Sequence, residues 1–366
     1  MPATISFARG APSLDIIDID GLRAAAEQAF TNDPQRTTAY GTAIGYVPLR
    51  EWIADKHQVE PANVLVTNGS MQADAFLFDA LVADGDTVIV ERPTYDRTLL
   101  SLRNRGADVR MVELEPDGID TAALERVLAG GAQPKLAHII PNFQNPAGYT
   151  LSAAKRERLI ELARAHGFTI FEDDPYVSLR FAGEALPTMV STAPDVTVYA
   201  SSFSKTVCPG IRVGYLVGPA ELIAEIARRA TSTYISPNMV AESIVNQFCR
   251  SGAIDRSIET VKEALRERAQ TLCAALSEHM PDARFVAPEG GYFLWVDLPQ
   301  GTDVAALFDA AAARDVQFVK GTEFVLEGGE SSLRLAYSGV TPSEIEEGIK
   351  RLAEAYEEVG SPVHAA

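Results

Sequence analysis

Short, nearly continuous apolar runs alternate along the chain with longer segments of mixed apolar and polar residues. The short runs are rich in β-branched residues, which is typical of strands that are covered on both faces of a sheet. The longer segments have helical periodicity and lie at residues 71–83 and 152–166, with Gly85 and Gly167 just beyond their ends and Ser152 as a potential N-cap. This alternation predicts an α/β fold with a mostly parallel sheet. The predicted strands span residues 87–91, 136–141, 168–172, 197–200 and 213–217.

The last third of the chain has a different pattern. A long helical segment is followed by two predicted strands, each with a predicted helix after it, so we expect a smaller α+β domain. The first 35 residues lack a core of their own and are expected to pack on this domain. We therefore predict a large domain at residues 36–270 and a small domain at residues 1–35 and 271–366. The predicted elements of the last third are the helix 254–279, the strand 292–296, the helix 303–314, the strand 333–337 and the helix 343–358.

Composition excludes several classes of protein. The chain has 366 residues, of which 46% are hydrophobic and 22% are charged, as in ordinary folded domains. Its net charge of −18 disfavours nucleic acid and anionic membranes as general partners. No apolar run is long enough to span a membrane, and the first residues do not have the pattern of a signal peptide. The three cysteines show no metal-type spacing, so we expect reduced thiols and a cytoplasmic location.

The most informative turn is SSFSK, which directly follows the predicted strand 197–200. The hydroxyls of Ser202 and Ser204, together with the guanidinium of Arg212, could hold a phosphate dianion. Lys205 would then be desolvated beside a cation, and these conditions lower the pKa of an amine and make it a nucleophile toward aldehydes. An ordinary solvated lysine in a loop is the alternative reading of this turn.

Two other turns follow apolar runs. The segment TNGSMQ at 67–72 opens a helix, where free N–H groups bind phosphate readily; Gly69 allows a tight turn and Ser70 adds a hydroxyl. Ordinary helix capping explains that segment equally well. The segment PNFQNPAG places Asn145 at the carboxyl end of the sheet, where open α/β sheets bind ligands. A plain Asn-Pro turn is the alternative there.

Charged residues end or interrupt two apolar runs. Asp173, in FEDDPY, follows a strand, and a carboxylate there can keep the ring nitrogen of a ligand protonated. A capping turn is the alternative, whereas a metal site is disfavoured because no histidine or further acidic cluster of suitable spacing is near. Arg334, in SLRLAY, needs a partner because an unpaired buried charge is costly. From the residues alone, an internal Asp or Glu is favoured over a substrate carboxylate.

Taken together and in order, these motifs resemble the class I/II aminotransferases, which are fold type I pyridoxal-phosphate enzymes. The similarity is greatest to the subgroup that contains 2-aminoadipate and kynurenine aminotransferases and the aminotransferase-like part of the MocR regulators. It extends from ISFARGAPS near the start to the final helix and implies a mostly parallel seven-stranded sheet in the large domain. The matching segments are YGTAIGYVPLR, PTY, QNPAG, EDDPY, SFSK, PGIRVGY, GGYFLWVDLP and LRLAYS.

The resemblance implies pyridoxal 5′-phosphate as cofactor, no metal, and a homodimer with shared active sites. It implies that Lys205 forms the aldimine with the cofactor and later moves a proton between the substrate and the cofactor. Asp173 would pair with the pyridinium nitrogen, and Tyr95 would stack on the ring. Tyr176 and Asn145 would hydrogen-bond the phenolic oxygen of the ring.

The resemblance also implies where the phosphate and the substrate bind. Arg334 would hold the substrate α-carboxylate, which replaces the internal salt bridge as the favoured interpretation, and Asn145 would assist. Arg9 and Lys320 depart from the common pattern, and either could contact an acidic substrate group, although a solvated Lys320 is favoured. The phosphate contacts would be Ser70, the Met71 backbone, Ser202, Ser204, Arg212 and Tyr40 of the neighbouring subunit.

The implied activity is the transfer of an amino group from an L-amino acid to a 2-oxo acid by a ping-pong course, within amino acid metabolism. Two alternatives remain at this point. One is another pyridoxal-phosphate reaction of an amino acid, namely β-elimination, decarboxylation or oxidation. The other is a catalytically silent ligand-sensing module. For that module we expect no preceding DNA-binding domain, because the resemblance begins within the first ten residues and the charge is acidic.

Overall fold

The structure, a computed structural model, describes residues 4–360 of the chain. Each predicted strand is present, and its ends move by at most two residues; further strands that the sequence did not predict accompany them. The strands are β1 Ile5–Ser6, β2 Val64–Thr67, β3 Thr87–Arg92, β4 Asp108–Glu115, β5 Gly118–Ile119, β6 Pro134–Ile139, β7 Thr169–Asp173, β8 Thr197–Ser202, β9 Gly214–Val217, β10 Phe293–Asp297, β11 Val316–Gln317, β12 Val319–Lys320 and β13 Ser332–Ala336.

The predicted helices are present as well. Gly167 has a φ of 73° and ends one of them, whereas Ser152 occupies the N-cap position but its hydroxyl donates a hydrogen bond to Asp117 instead of capping. Between residues 4 and 360, no helix is both long and apolar enough for a membrane span. The helices are α1 Ile19–Asn32, α2 Pro34–Thr38, α3 Val47–His57, α4 Ser70–Leu81, α5 Asp96–Asn104, α6 Thr121–Ala129, α7 Ala153–His166, α8 Met189–Thr192, α9 Ala220–Tyr234, α10 Met239–Arg250, α11 Ala253–His279, α12 Val304–Ala312 and α13 Pro342–Val359.

The central sheet confirms the predicted α/β fold class. Its order is β2-β9-β8-β7-β6-β3-β4-β5, and the strands from β8 to β4 run parallel to their neighbours. The pairings β2–β9, β8–β9 and β4–β5 are antiparallel, which makes the sheet mixed. Within residues 4–360 this sheet has eight strands where seven are expected, and its edge strand β5 has only two residues. The carboxyl ends of β7 and β8 meet at one edge, where ligands of such sheets bind.

The division into two domains and its boundaries stay a prediction, and the hydrophobic clusters show how parts of the chain pack together. One cluster joins Ile5 and Phe7 to the elements of the last third, and β1 pairs with β11. Helix α1 departs from the expectation for the first 35 residues, because its Ala25 packs in a cluster of the large sheet. The predicted boundary at residue 270 lies inside the continuous helix α11. Residues 1–3 and 361–366 of the predicted small domain lie outside the described residues.

Candidate active site

A cavity of about 820 Å³ opens at the carboxyl ends of β7 and β8, between the central sheet and residues from the last third of the chain. Its wall brings together every site residue predicted from the sequence except Tyr40. Turns that lie far apart in the sequence therefore form one site, as expected for the carboxyl edge of a parallel sheet. The predicted residues on the wall are Arg9, Ser70, Met71, Tyr95, Asn145, Asp173, Tyr176, Ser202, Ser204, Lys205, Arg212 and Arg334.

One end of the cavity is built to bind an anion. Helix α4 begins there after Gly69, and no side chain caps its first turn, so its first N–H groups stay available. The Arg212 guanidinium lies beside them and donates a 3.2 Å hydrogen bond from Nη1 to the Ser204 hydroxyl. A Cβ at Gly69, whose φ is 86°, would collide with Nη2 of Arg212, so only glycine allows this close approach. The arrangement suits a phosphate dianion.

Lys205 projects into the cavity from the turn after β8. Its Nζ donates a 2.7 Å hydrogen bond to the Gly10 carbonyl, and the Tyr292 hydroxyl donates to the Lys205 carbonyl at 3.0 Å. Burial lowers the pKa of the Lys205 amine to about 8, with further contributions from the positive charges of Arg334 and Arg212. More of the amine is therefore uncharged near neutral pH than in an ordinary exposed lysine, and the uncharged amine is the nucleophilic form.

Asp173 is the last residue of β7 and is almost completely buried. Its Oδ2 lies 3.4 Å from Nε2 of His138, while its Oδ1 is buried without a hydrogen-bond partner in the described part of the chain. His138 is fully buried against the rings of Phe78 and Phe171. His138 carries no signal in the sequence alone, because its proximity to Asp173 depends on the register of β6 against β7. An unpaired carboxylate oxygen at this place fits the protonated ring nitrogen of a ligand.

Two tyrosines and an asparagine surround the space in front of Lys205. Burial raises the pKa of Tyr95 to about 12, and burial also raises the pKa of Tyr176 well above its usual value, so both phenols stay neutral donors. Nζ of Lys205 lies 5.6 Å from the centre of the Tyr176 ring. Asn145 is buried and accepts a hydrogen bond from Arg334, which places its amide between the central sheet and β13.

Arg334 lies in the middle of β13, and its guanidinium is held between the rings of Phe293 and Phe324, at 4.3 and 4.8 Å from their centres. It donates hydrogen bonds to Oδ1 of Asn145 at 2.9 Å and to the Ala8 carbonyl at 2.7 Å. No carboxylate of residues 4–360 forms an ion pair with it, so the internal salt bridge favoured from the residues alone is wrong. A buried guanidinium without a counter-ion fits the carboxylate of a ligand.

The outer wall of the cavity carries aromatic side chains together with charged ones of both signs, among them Lys320 and Glu323. Phe308 and Phe318 pack edge to face there, and Nζ of Lys320 lies 5.4 Å from the centre of the Phe308 ring. Arg9 is exposed at the same opening. Within the described residues, neither Arg9 nor Lys320 forms an ion pair. The sequence favoured a solvated Lys320. In the structure its side chain is partly buried on the cavity wall.

Tyr40 lies outside this cavity on the protein surface, and 86% of it is exposed. It borders a separate groove that Met239 and Val47 also line. Ile235 and Val240, which are close to Met239 in the sequence, are exposed as well. Such an exposed aromatic and apolar surface is typical of contact with another chain.

Comparisons with known proteins identify chains that are similar to this one. Residues 4–352 match the family model described as aminotransferase class I and II. The chain is 32% identical to the 2-aminoadipate transaminase of Thermus thermophilus over 360 residues, covering 97% of this chain and 90% of that protein. It is 30% identical to aromatic-amino-acid aminotransferase 1 of Thermococcus litoralis over 367 residues, covering 97% and 88%. A solved alpha-aminoadipate aminotransferase of Thermus thermophilus, complexed with N-(5′-phosphopyridoxyl)-L-leucine, superposes with a TM-score of 0.93 at 31% identity, covering 97% and 92%.

Proposed function

The chain belongs to the class I and II aminotransferases, which depend on pyridoxal phosphate, and we propose that the cavity around Lys205 is its active site. There it would move an amino group from an L-amino acid to a 2-oxo acid by a ping-pong course. The observation that carries this proposal is the placement of four groups in one cavity. These are an amine of lowered pKa, an anion site, a buried carboxylate and an arginine without a counter-ion.

The residues of the cavity fit pyridoxal phosphate. When bound, this group supplies an aldehyde that joins covalently to amines and a ring that withdraws electrons from the Cα of an amino acid. The α4 N-terminus, Ser204 and Arg212 would hold its phosphate. The unpartnered Oδ1 of Asp173 would accept a hydrogen bond from its ring nitrogen, and Tyr95 would cover its face.

Side chains of the cavity bind the substrate and move the proton. Arg334 and Asn145 bind the α-carboxylate of the amino acid and so orient its Cα. Lys205 takes a proton from that carbon and returns it to another, acting as acid and base in turn. Asp173 holds the proton on the ring nitrogen, with His138 behind it. The rings of Phe293 and Phe324 pack on the Arg334 guanidinium and keep water from its faces.

Covalent uptake of pyridoxal phosphate by the apoprotein should follow the pKa of Lys205. Because only the uncharged amine attacks the aldehyde, the rate constant should rise about tenfold per pH unit below pH 8 and level off above it. Stopped-flow absorbance between about pH 7 and 10 measures this profile. The control, Lys205→Ala, should show no covalent uptake. A rate that keeps rising toward the ordinary lysine value of 10.5 would contradict the lowered pKa.

The half-reactions test the proposed function. The holoprotein, kept anaerobic, is mixed with single L-amino acids, and its visible absorbance is followed before and after a 2-oxo acid is added. We expect bleaching by the donor and recovery with 2-oxoglutarate or pyruvate. Release of ammonia, CO₂ or peroxide in place of a 2-oxo acid would identify one of the other pyridoxal-phosphate reactions. No response to any amino acid would favour the ligand-sensing module.

The outer wall points to a donor with a long side chain. Phe308 and Phe318 offer an apolar surface, and Lys320 offers a positive charge beyond it. These features suit an aromatic side chain or one that ends in a carboxylate. The relatives named above for 2-aminoadipate and for aromatic amino acids support starting the donor panel with these two classes. The three cysteines are free, which supports a cytoplasmic location.

The protein is further proposed to be a homodimer in which Tyr40 reaches the phosphate of the neighbouring subunit. Its exposure outside the cavity supports a role in trans. Mixing two inactivated variants, Lys205→Ala and Tyr40→Ala, after partial unfolding and reassembly should restore activity. In such a mixed dimer, one site carries both substitutions and the other carries neither. Activity that never exceeds the sum of the separate variants would place Tyr40 within its own subunit's site or outside the chemistry.

A further inference from the structure

The groups of the proposed active site lie on three neighbouring strand ends. Strands β6, β7 and β8 are parallel neighbours in the central sheet. Asn145 lies in the turn after β6, Asp173 ends β7, and Lys205 lies in the turn after β8. The ladder hydrogen bonds of a sheet stop where its strands end. Contacts beyond the ladder must therefore set the spacing between these three groups.

A line of hydrogen bonds outside the cavity lining supplies such contacts. Nδ2 of Asn142 donates to Oδ2 of Asp174 at 2.8 Å. The Asp174 N–H donates to the Ala200 carbonyl at 2.9 Å, and the Ser201 hydroxyl donates to the Asp174 carbonyl, also at 2.9 Å. The turn after β6 is thus tied to the turn after β7, and that turn is tied to β8. Within this line, the Asn142–Asp174 bond is the step that joins two side chains, so a single substitution can break it.

Two cations hold Asn142 from its other side. Its Oδ1 accepts hydrogen bonds from Nη2 of Arg156 and from Nη2 of Arg180, both at 3.2 Å. Arg156 also donates to the carbonyls of Pro141 and Leu151, on either side of the turn. Asn142 is only 2% exposed and does not line the cavity. Hydrogen bonds with a charged partner are stronger than neutral ones, so this amide has a fixed orientation.

The backbone of the turn needs this support. Phe143 has a φ of 51°, in the left-handed region that bulky residues rarely adopt. Its side chain is fully buried against Gly290 and Gly291, where a Cβ on either glycine would collide with it. The Arg180 guanidinium lies 4.7 Å from the centre of the ring. A backbone of this kind persists only where its surroundings impose it. The direction of Asn145, two residues later, therefore depends on the contacts of Asn142 and Phe143.

Asn145 is the group that benefits from a fixed turn. Its Oδ1 accepts the 2.9 Å hydrogen bond from Nη1 of Arg334. In the proposed function, its amide also donates to the phenolic oxygen of the cofactor and assists in binding the substrate carboxylate. Small errors in the placement of such groups cost much of the rate, because the reacting atoms must meet in one geometry.

We propose that Asn142 is a positioning residue of the active site. Its side chain ties the turn after β6 to Asp174 and so fixes Asn145 against the cofactor and Arg334. The proposal rests on the proposed function of the cavity. Because Asn142 does not line the cavity, it acts through Asn145 and makes no contact with cofactor or substrate.

Two substitutions at Asn142 test the tie to Asp174. Asn142→Ala removes the whole amide, whereas Asn142→Asp keeps its shape and an acceptor for both arginines but has no N–H donor. A donor to the phenolic oxygen favours its charged form, so losing the donor raises the pH at which the bound cofactor gives up its proton. The absorbance midpoint of the holoprotein should rise by about 0.3 to 1 pH unit in both variants, in the same direction as in Asn145→Ala.

Two results of this titration would overturn the proposal. An unchanged midpoint in both variants would leave Asn142 without a role in the site. A rise in Asn142→Ala alone would assign the turn to its two arginine contacts and not to Asp174. Circular dichroism checks the fold of each variant, and Asn142→Asp keeps the test open if Asn142→Ala does not fold.

A double substitution tests the route through Asn145. If Asn142 acts only by placing Asn145, adding Asn142→Ala to Asn145→Ala should give no further rise of the midpoint. Rises that add in the double variant would mean that the two residues act independently, which contradicts the proposal.

Hydrogen exchange of the apoprotein gives a readout that needs no cofactor. The Gln144 N–H donates to the Tyr149 carbonyl, and the Gly148 N–H donates to the Gln144 carbonyl. Both bonds lie within the turn after β6, so exchange of these amides should be about 5- to 100-fold faster in Asn142→Ala. Exchange at the wild-type rate would show that the turn holds its shape without Asn142 and would overturn the proposal.

A matched control is available in Asn63, another amide that joins two strand ends of the same sheet. Its Nδ2 donates to the Gly218 carbonyl at 2.9 Å, beside β2 and β9, and it does not line the cavity. Asn63→Ala should lower the melting temperature but leave the midpoint and the exchange of the turn unchanged. An equal shift of the midpoint would reveal general loosening of the sheet and contradict a positioning role.

Failure of the proposal can be told apart from failure of the proposed function. If wild type and Asn145→Ala both fail to bind pyridoxal phosphate, the proposed cofactor site itself fails. If both bind it and their midpoints differ, while the two Asn142 variants match wild type, only the role of Asn142 fails.

Discussion

Replacing Lys205 with alanine is expected to lower kcat for amino transfer by about 10⁴-fold or more. The substitution removes the Lys205 amine, which lies in the cavity and hydrogen-bonds the Gly10 carbonyl. This amine is both the proposed covalent attachment point and the proposed acid–base group. The Asp173 carboxylate and the anion site remain, so the variant should still bind the cofactor without a covalent bond. Steady-state kinetics and the absorbance of the bound cofactor measure these two effects separately.

A second lysine of the same cavity is the matched control. Lys320 lies on the outer wall against Phe308, away from the turn that carries Lys205. Lys320→Ala should change KM for some donors and leave the reaction itself intact. A small molecule amine added to Lys205→Ala should restore part of the proton transfer, because the deleted side chain leaves room for it. A Lys205→Ala variant that keeps a tenth of the wild-type kcat would contradict the assignment.

Replacing Arg334 with leucine is expected to lower kcat/KM for amino acids by about 10² to 10³-fold. The guanidinium is buried between two phenylalanine rings and has no counter-ion among residues 4–360, so a bound carboxylate loses its charged partner. Truncating one side of such a buried pair typically costs about 2–5 kcal/mol. The apolar rings can pack against leucine, so the fold should persist, as circular dichroism would show.

The choice of substrate makes the Arg334 prediction specific. A primary amine without a carboxylate should react equally slowly with wild type and Arg334→Leu, because it never uses the guanidinium. Arg334→Lys should recover only part of the loss, since a single ammonium cannot reproduce two parallel hydrogen bonds. A parallel loss for amines with and without a carboxylate would mean that Arg334 supports the structure of the cavity and does not bind substrate.

The periodicity of the sequence predicted the strands and helices because each carries its own hydrophobic pattern. Strands β7 and β8 each contain a short apolar stretch before they end in polar residues, and helix α7 ends at a glycine with a left-handed backbone. The two-residue strand β5 has no comparable pattern, because two residues cannot show a period. Helix α1 packs on α10, and neither its position nor that partner is encoded locally.

Site residues on strand ends and turns could be predicted, because the carboxyl edge of a parallel sheet collects them. His138 could not, since it reaches Asp173 only through the pairing of β6 with β7. The lack of an acidic partner for Arg334 could not be predicted either. Its neighbours across β13 are Trp295 and Val319, so no acid is available there, and this depends on the register of three strands.

Chemical trapping of the cofactor tests the central claim most directly. The holoprotein is treated with borohydride, which reduces the bond between the cofactor and its amine, and is then digested and mapped by tandem mass spectrometry. We predict one phosphopyridoxyl group per chain, on Lys205 in the segment SSFSK. A modification on another lysine, or none in a protein that performs amino transfer, would contradict the assignment of this cavity as the active site.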